Sequence, residues 1–483
     1  MRRAGPIAAL ALLLLLAGGC GEPEPGPPEV TEAERAYGAE QHPQLLAEFG
    51  GAYAGDQARY VAALGDRMAA AAGLEGRCTF TLVNSDVVNA FAVPGCYIYV
   101  TRGLVAVVTS EAELASVLGH ELGHIVARHA QRQQRRSLWR TLGVIAVGLT
   151  GSERLTRLAG QAAQYFTLRY SRTQEYEADD LGIAALVQAR YDPHAAADML
   201  AGLGRQERFM AETGGRDEAR SIPEWARSHP LTGHRIARAR AAASATGLAD
   251  DELPERADAY LAQVDGLLYG DDPAQGFVLG RRFAHPQMRI AFEAPPGFSL
   301  TNSPQAVGLS GPGGISGEFG GGALPPGGLD AYADLLARQL VGDMPAELLG
   351  AERRLVNGLP AIVMAIAVTA QDRRIPLALA AYDGGGGQAY HFVIASPPGD
   401  AGAGAVERLF ASFRRLTAAE AAQLRPRVVR TVRVAPGQGA ADLVAQVADP
   451  YPRALYELLN DRRGDAAPAP GTLVKLVRYA DTR

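Results

Sequence analysis

The chain has 483 residues, of which 47% are hydrophobic and 20% are charged. These values exclude a globally disordered protein and supply enough apolar material for at least one large core; at about 150 residues per domain, they predict about three domains. The net charge of -5 excludes the strongly basic surface that nucleic-acid binding requires, and three cysteines cannot build a disulfide scaffold or a Cys-only zinc site.

The N-terminus has the pattern of an export signal. A basic start is followed by an unbroken apolar run at 8–17 and by small residues directly before Cys20. The run is shorter than the roughly 20 residues that a permanent membrane span needs. The sequence therefore predicts a signal peptide over residues 1–20.

The end of this signal resembles a bacterial lipobox, which implies that Cys20 is a lipid anchor. Ala17 stands where such boxes usually have Leu, and the alternative is an ordinary cleaved signal with an incidental cysteine. No Asp follows Cys20, which favours the outer membrane, and we expect the protein on the periplasmic side. Residues 21–29 are rich in Pro and Glu and predict a stiff, solvated tether.

The remaining cysteines are Cys78 and Cys96, each beside a strand-like run, at 79–83 and 97–101. An exported protein lies in an oxidising compartment. We predict that the two runs pair antiparallel and that the cysteines form a disulfide; the alternative is two free, buried thiols.

A predicted helix carries the most informative motif of the chain. Ser110 and Glu113 fit a capping box, and an apolar, helically spaced stretch follows. His120 and His124, four residues apart, share one face and can bind one metal ion, with Glu121 beside them in the HExxH pattern. The alternative is a buried helix with structural histidines.

Zinc needs a third protein ligand. His129 follows His124 by five residues, but no glycine interrupts the predicted helix, so we expect His129 to face away from the metal. Glu175 and Asp179 share a face of a later predicted helix. We predict that Glu175 binds the metal and that Asp179 holds a ligand histidine, whereas Glu177 makes surface or salt-bridge contacts.

The helix with the third ligand reads Ser-Arg-x-x-Glu-x-x-Ala-Asp over residues 171–179. Together with HExxH, with Asn-Ala-Phe-Ala-Val-Pro-Gly at 89–95 and with Ser-His-Pro at 228–230, it resembles the Ste-type metallopeptidase family of the CAAX prenyl endopeptidase and HtpX. The resemblance covers residues 30–250 and is closest to soluble periplasmic lipoprotein members. Position 96 is Cys where the family usually has Gly.

The resemblance implies a gluzincin in which one Zn²⁺ is bound by His120, His124 and Glu175, and Glu121 is the general base. It also implies that His229 and Arg235 stabilise the reaction intermediate or gate the site; the alternative for both is helix packing and an ion pair.

The segment before the HExxH helix resembles the family's edge strand, and we expect it to bind an extended peptide substrate. The alternative is a plain core strand. The residues of this segment are Asn89, Ala90, Phe91 and Ala92. The apolar run at 142–149 is too short for a span, so a prenylated substrate processed inside a bilayer is not expected.

The rest of the chain predicts accessory modules. Residues 251–285 are expected to be a linker with a short helix, and 286–418 resemble small α+β domains of the PsbP/Mog1 type, with a glycine-rich loop at 311–328. Residues 427–480 resemble a degenerate LysM module with the order β-α-α-β. Two roles are open for this module: it binds glycan, or it is a structural module that docks on the protease domain.

The fold class expected overall is α+β, with a mainly helical zincin-type domain, a small edge-strand sheet and two accessory modules. The function expected is a zinc endopeptidase in the bacterial envelope that hydrolyses misfolded or unassembled envelope proteins. The alternative is a chaperone-like or peptidoglycan-binding scaffold with a latent zinc site.

Overall fold

The computed structural model describes residues 29–133, 170–213, 225, 229, 233–370, 373–397, 402–461, 464 and 467–481. None of the helices in these ranges is long and apolar enough to cross a membrane. The predicted signal peptide with Cys20, most of the tether and the apolar run at 142–149 lie outside the described residues.

The first part of the fold combines four helices with a small sheet. These elements are α1 (Glu32–Glu48), α2 (Asp56–Ala71), β1 (Thr79–Val83), β2 (Ala90–Val93), β3 (Tyr97–Thr101), α3 (Arg102–Val107) and α4 (Glu111–Val126). The strand order is β1-β3-β2, so β2 lies at an edge. β2 is antiparallel to β3, whereas β1 is parallel to it.

The antiparallel pairing predicted for 79–83 and 97–101 is wrong, because β2 lies between them in the chain and reverses its direction once more. In the parallel register Thr79 faces Tyr97, which places the residues that precede them side by side. These are Cys78 and Cys96, and the structure joins them in a disulfide with a Cα–Cα distance of 4.6 Å.

Helix α4 runs through the core and is buried from Glu111 to His124. The Ser110 side chain accepts a hydrogen bond from the Glu113 backbone N–H at 3.1 Å. The Glu113 carboxylate does not return to Ser110, as a capping box requires, but accepts from the N–H of Thr109 at 2.7 Å. The helices that follow are α5 (Arg172–Gln188), α6 (Ala195–Thr213), α7 (Gly233–Ala245) and α8 (Ala257–Val264).

Residues 251–285 are not the linker that the sequence predicts. Tyr260, Leu261 and Val264 of α8 are buried in the same core as α4. The segment then forms three strands, β4 (Leu268–Tyr269), β5 (Phe277–Leu279) and β6 (Arg282–His285).

The accessory region is built from two sheets with helices, which agrees with the mixed α and β class predicted. Its elements are β7 (Ile290–Glu293), β8 (Ser299–Asn302), β9 (Val307–Ser310), β10 (Ser316–Ala323), α9 (Gly328–Val341), β11 (Ala346–Val356), β12 (Leu359–Ala370), β13 (Arg373–Gly385), β14 (Gln388–Ala395), α10 (Ala403–Ser412), β15 (Arg414–Arg415) and α11 (Ala418–Ala422). The sheet orders are β11-β12-β13-β14-β10-β9-β8 and β15-β7-β6-β5.

The glycine-rich loop predicted at 311–328 is wrong in part, because β10 lies inside it and pairs with both β14 and β9. A Cβ at Gly317 would lie 2.5 Å from the Val393 carbonyl oxygen. Glycine is depleted in strands generally, but here it allows close strand packing.

The C-terminal segment has the predicted β-α-α-β order. It consists of β16 (Arg427–Arg433), α12 (Ala440–Val444), α13 (Pro452–Asn460) and β17 (Leu473–Tyr479). β16 pairs with β17 and also with β4. Eleven of its buried apolar side chains belong to the core that contains α4, among them Val429, Leu443, Leu455, Leu459 and Leu476. This packing favours docking over an independent glycan-binding module.

The only lysine of the chain, Lys475, joins this segment to the helix that precedes α4. Lys475 is 1% exposed, and its Nζ donates to the carbonyl oxygens of Ala106 at 2.6 Å, Val107 at 3.2 Å and Val108 at 2.5 Å. These carbonyls end α3, where a helix leaves its acceptors unsatisfied. Lys475 therefore fixes the backbone two residues before the cap of α4.

Candidate metal centre

Helix α4 presents two imidazoles to one point. The Nε2 atoms of His120 and His124 are 3.1 Å apart, and the two rings are nearly perpendicular. Both side chains are buried, as expected for positions four residues apart on the inner face of a helix.

Helix α5 adds a carboxylate to this pair. Glu175 Oε1 lies 3.7 Å from His124 Nε2, and Oε2 lies 3.6 Å from His120 Nε2. Ligands about 2.1 Å from a tetrahedral zinc ion lie about 3.4 Å from each other, so these three donors fit such an ion. The two-nitrogen, one-carboxylate set is chemically suited to it as well, and the cluster could bind a metal.

Glycines allow α5 to approach α4 this closely. A Cβ at Gly123 would lie 2.7 Å from the Ala178 carbonyl oxygen, and one at Gly119 would lie 3.1 Å from that of Gly182. Gly119 and Gly123 therefore pack closely against a neighbour, and this neighbour is the helix that carries Glu175.

Substitution of Gly123 by alanine is expected to displace α5 and weaken metal binding. Alanine favours a helix by about 1 kcal/mol, but the clash with backbone is expected to cost about 1–3 kcal/mol. Thermal unfolding and zinc titration of Gly123→Ala measure both effects. Gly202→Ala is the control, since its Cβ would meet only the end of the Arg205 side chain; an equal effect there would contradict the explanation.

Asp179 and Arg235 surround the ligands. Asp179 Oδ1 lies 2.9 Å from His120 Nδ1, the contact that the i, i+4 spacing from Glu175 predicts. Arg235 donates to both Asp179 oxygens at 2.8 Å, and its Nη1 lies 2.6 Å from Glu175 Oε2. This placement favours the ion-pair alternative for Arg235: it holds two carboxylates in position.

The charges of the cluster shift its acid–base equilibria in opposite directions. Burial raises the pKa of Glu121. Burial alone would also raise the pKa of Glu175, but the nearby charges of His229, His120 and Arg235 outweigh it and hold this pKa below its usual range. Glu121 is therefore the carboxylate better suited to accept and release a proton.

Glu121 is poised beside the metal donors. It is 1% exposed, and its Oε1 has no hydrogen-bond partner among the described residues, although His229 Nε2 lies 3.6 Å away. A buried polar atom without a partner is costly, which indicates that it serves a further ligand such as water.

His229 enters the centre of the cluster. Its Nδ1 lies 2.9 Å from Glu175 Oε1 and 3.4 Å from His120 Nε2. The ring also stacks on Trp225, whose carbonyl oxygen accepts from the His229 backbone N–H. His229 thus stands where a fourth ligand would bind; Ser228 and Pro230 of its motif lie outside the described residues.

The sequence predicts that His129 faces away from the metal cluster, but in the structure its side chain contacts His124. Its Nδ1 lies 2.7 Å from His124 Nδ1, and its Nε2 lies 3.1 Å from Glu177 Oε2. The sequence shows no glycine to end the helix, but α4 ends at Val126 and Arg128 takes a φ of +53°. Only the five-residue spacing from His124 could have drawn attention to it.

The strand predicted to bind substrate lies against α4, the helix that carries the HExxH motif. β2 packs on α4 and is an edge strand of its sheet. Asn89, directly before it, is fully buried, and neither polar atom of its carboxamide has a hydrogen-bond partner among the described residues.

These features are those of the HExxH class of metal-dependent peptidases. Residues 56–243 match the family described as Peptidase family M48, so this segment resembles a domain of that family. The family uses a metal for catalysis, so this part of the chain is a metallopeptidase domain.

Named relatives match the same part of the chain. The beta-barrel assembly-enhancing protease of Yersinia pestis is 32% identical over 194 residues, 38% of either chain, and that of Escherichia coli K12 is 31% identical over 198 residues, again 38% of each. The mitochondrial metalloendopeptidase OMA1 of Arabidopsis thaliana is 37% identical over 138 residues, 28% of each. The match therefore spans less than two fifths of these relatives' length.

One solved structure shows a weak likeness to the chain. Cyanobacterial PsbP from Synechocystis sp. PCC 6803 is 14% identical with a TM-score of 0.24, covering 29% of this chain and 98% of that chain.

Proposed function

We propose that the chain is a zinc endopeptidase of the bacterial envelope that cleaves misfolded or unassembled envelope proteins. The observation that carries this proposal is the buried convergence of His120, His124 and Glu175, with the unpartnered Glu121 oxygen beside them. A purely structural metal site has no use for such a base.

The residues around the site suit peptide hydrolysis. Zinc, when bound, supplies a Lewis acid and lowers the pKa of water towards about 7. Glu121 accepts a proton from the attacking water and delivers it to the leaving amine. Asp179 keeps the His120 ring oriented through Nδ1, which leaves Nε2 free as a ligand.

The edge strand suits an extended substrate. A peptide can add to β2 through main-chain hydrogen bonds, which favours unfolded segments over folded domains. We infer that the buried Asn89 carboxamide binds the main chain of this peptide, because it has no other partner among the described residues. An apolar pocket next to His120, lined by Val117, Met199 and Leu203, suits an apolar substrate side chain.

The envelope location rests on the predicted lipoprotein signal with Cys20 and on relatives whose names include an assembly-enhancing protease. Protein substrates in the periplasm and a membrane anchor through Cys20 follow as parts of the proposal.

Metal analysis and chelation test the proposal directly. Purified residues 21–483 are expected to carry about one zinc ion per chain and to cleave casein. Removal of the metal should abolish cleavage, and addition of zinc should restore it. Cleavage that survives complete metal removal would contradict the proposal.

His229 is expected to restrain activity, because it occupies the position where substrate or water must bind. His229→Ala should raise the rate of casein cleavage while zinc stays bound to the three remaining ligands. Unchanged activity would remove the idea of a plug, and a large loss would instead assign His229 to intermediate stabilisation. Trp225→Phe, which keeps an aromatic ring beside His229, is the control for packing.

A latent site in a chaperone-like or peptidoglycan-binding scaffold is the second candidate. The position of His229 in the metal cluster favours a latent state. The packing of the C-terminal segment into the protease core argues against its use as a separate glycan-binding module.

A further inference from the structure

The two metal-facing histidines are supported on their outer nitrogens by different partners. His120 has a carboxylate, Asp179, at its Nδ1. His124 has another imidazole instead, with His129 Nδ1 at 2.7 Å from its own Nδ1. An imidazole can be a donor or an acceptor, so the tautomer of His129 decides whether His124 is held in its ligating form.

The backbone after α4 is shaped to bring His129 back to the site. Helix α4 ends at Val126, and Arg128 adopts the left-handed conformation that an arginine rarely takes. His129 is fully buried as a result. Its carbonyl oxygen also accepts from the Gln174 side chain at 3.5 Å, which ties the turn to the start of α5.

Glu177 determines the tautomer of His129. Its Oε2 lies 3.1 Å from His129 Nε2 and 2.5 Å from Arg132 Nη2. The carboxylate, fixed in its charged form by Arg132, can only accept, so His129 Nε2 carries the hydrogen. The Nδ1 of neutral His129 is then an acceptor, and His124 must donate to it from Nδ1. The Nε2 lone pair of His124 is left pointing at Glu175 and His120.

We propose that His129 and Glu177 are positioning residues that form a hydrogen-bond relay, His124 to His129 to Glu177, and set His124 in its metal-binding tautomer and orientation. The inference rests on the proposed zinc site. The relay takes no part in bond breaking; it acts on the affinity of the site for its metal, because a ligand histidine held by a partner binds more tightly.

Zinc affinity in the full mature chain tests the relay. The measurement is competition for zinc with a chromophoric chelator, in a Glu121→Gln background so that self-cleavage cannot interfere. His129→Leu removes both ends of the relay and should weaken zinc binding about 10–100-fold. His129→Asn places an amide oxygen near the position of Nδ1 and should recover most of the affinity.

The outer end of the relay has a matched control on the same helix. Glu177 pairs with Arg132 and is 42% exposed, whereas Asp180 pairs with Arg238 and is 46% exposed without contacting His129. Glu177→Leu should weaken zinc binding about tenfold, and Asp180→Leu should leave it unchanged.

The outcomes separate the relay from the site itself. Tight zinc binding by the parent and by both His129→Leu and Glu177→Leu overturns the relay but leaves the peptidase proposal standing. Failure of the parent chain to bind zinc overturns both. Equal losses in His129→Leu and His129→Asn also overturn the relay, because the loss then reflects packing.

Discussion

Replacement of Glu121 by glutamine is expected to lower casein cleavage by about 10²–10⁴-fold while the chain keeps its zinc. Glutamine has nearly the same shape but cannot accept a proton from water or deliver one to the leaving amine. Glu121 is not one of the three proposed ligands, so metal content should not change. Cleavage assays paired with metal analysis measure both quantities on the same sample.

The comparison is sharpest in two backgrounds. Because His229 occupies the site, Glu121→Gln should be measured in the native chain and again with His229→Ala. Glu111→Gln is the control: Glu111 is 4% exposed on the same helix, but it binds Tyr60 and Arg67 instead of the metal cluster. That variant should lose stability and keep its activity well below its melting temperature. Equal cleavage by Glu121→Gln and the native chain would refute the mechanism.

Deletion of residues 427–483 is expected to unfold the metallopeptidase domain. The segment contributes eleven buried apolar side chains to the core around α4, among them Val429, Leu443, Leu455, Leu459 and Leu476. Each contributes about 1.5–3 kcal/mol, so the loss of these five alone is comparable with the entire stability of a typical domain, about 5–15 kcal/mol. Circular dichroism and zinc content of the truncated chain measure the effect. A soluble, zinc-loaded and active truncated chain would show instead that the segment is separable.

Lys475→Met tests the same connection with one side chain. Burial lowers the pKa of Lys475 to about 7, so the amine is costly to bury, yet three carbonyl oxygens at the end of α3 depend on it. Each buried group left without a partner costs about 1–3 kcal/mol, and we expect a loss of several kcal/mol in urea unfolding. Arg433→Met, on the neighbouring strand but exposed, is the control and should change stability by less than about 0.5 kcal/mol. Equal stability of both variants would contradict the proposal that Lys475 stabilises the fold by holding the end of α3.

The metal cluster was predictable because its information is local. His120 and His124 share a helix face through a spacing of four residues, and so do Glu175 and Asp179. Gly119 and Gly123 added one long-range clue, since glycine inside a helix indicates a close neighbour. The structure shows that this neighbour is the backbone of α5 at Ala178 and Gly182.

Strand pairing was less predictable because it depends on how distant segments meet. The sequence correctly predicts a strand beside each cysteine, but β1 and β3 are parallel and not antiparallel. Strand β10 lies within a glycine-rich stretch that predicts a loop, and the linker predicted over residues 251–285 contains the buried helix α8. Sequence periodicity reports which face of an element is apolar, but it does not identify the element that covers it.

The sequence by itself determined the HExxH helix, the glutamate that joins its histidines and the aspartate that contacts one of them, because a helix places residues four apart on one face. Only the tertiary structure decided the rest of the site. A left-handed Arg128 returns His129 to His124, a distant segment carries His229 to the fourth ligand position, and Lys475 crosses from the C-terminal segment to the end of α3. These contacts join residues from 5 to more than 360 positions apart, and each depends on a backbone turn or a packed interface that no local pattern encodes.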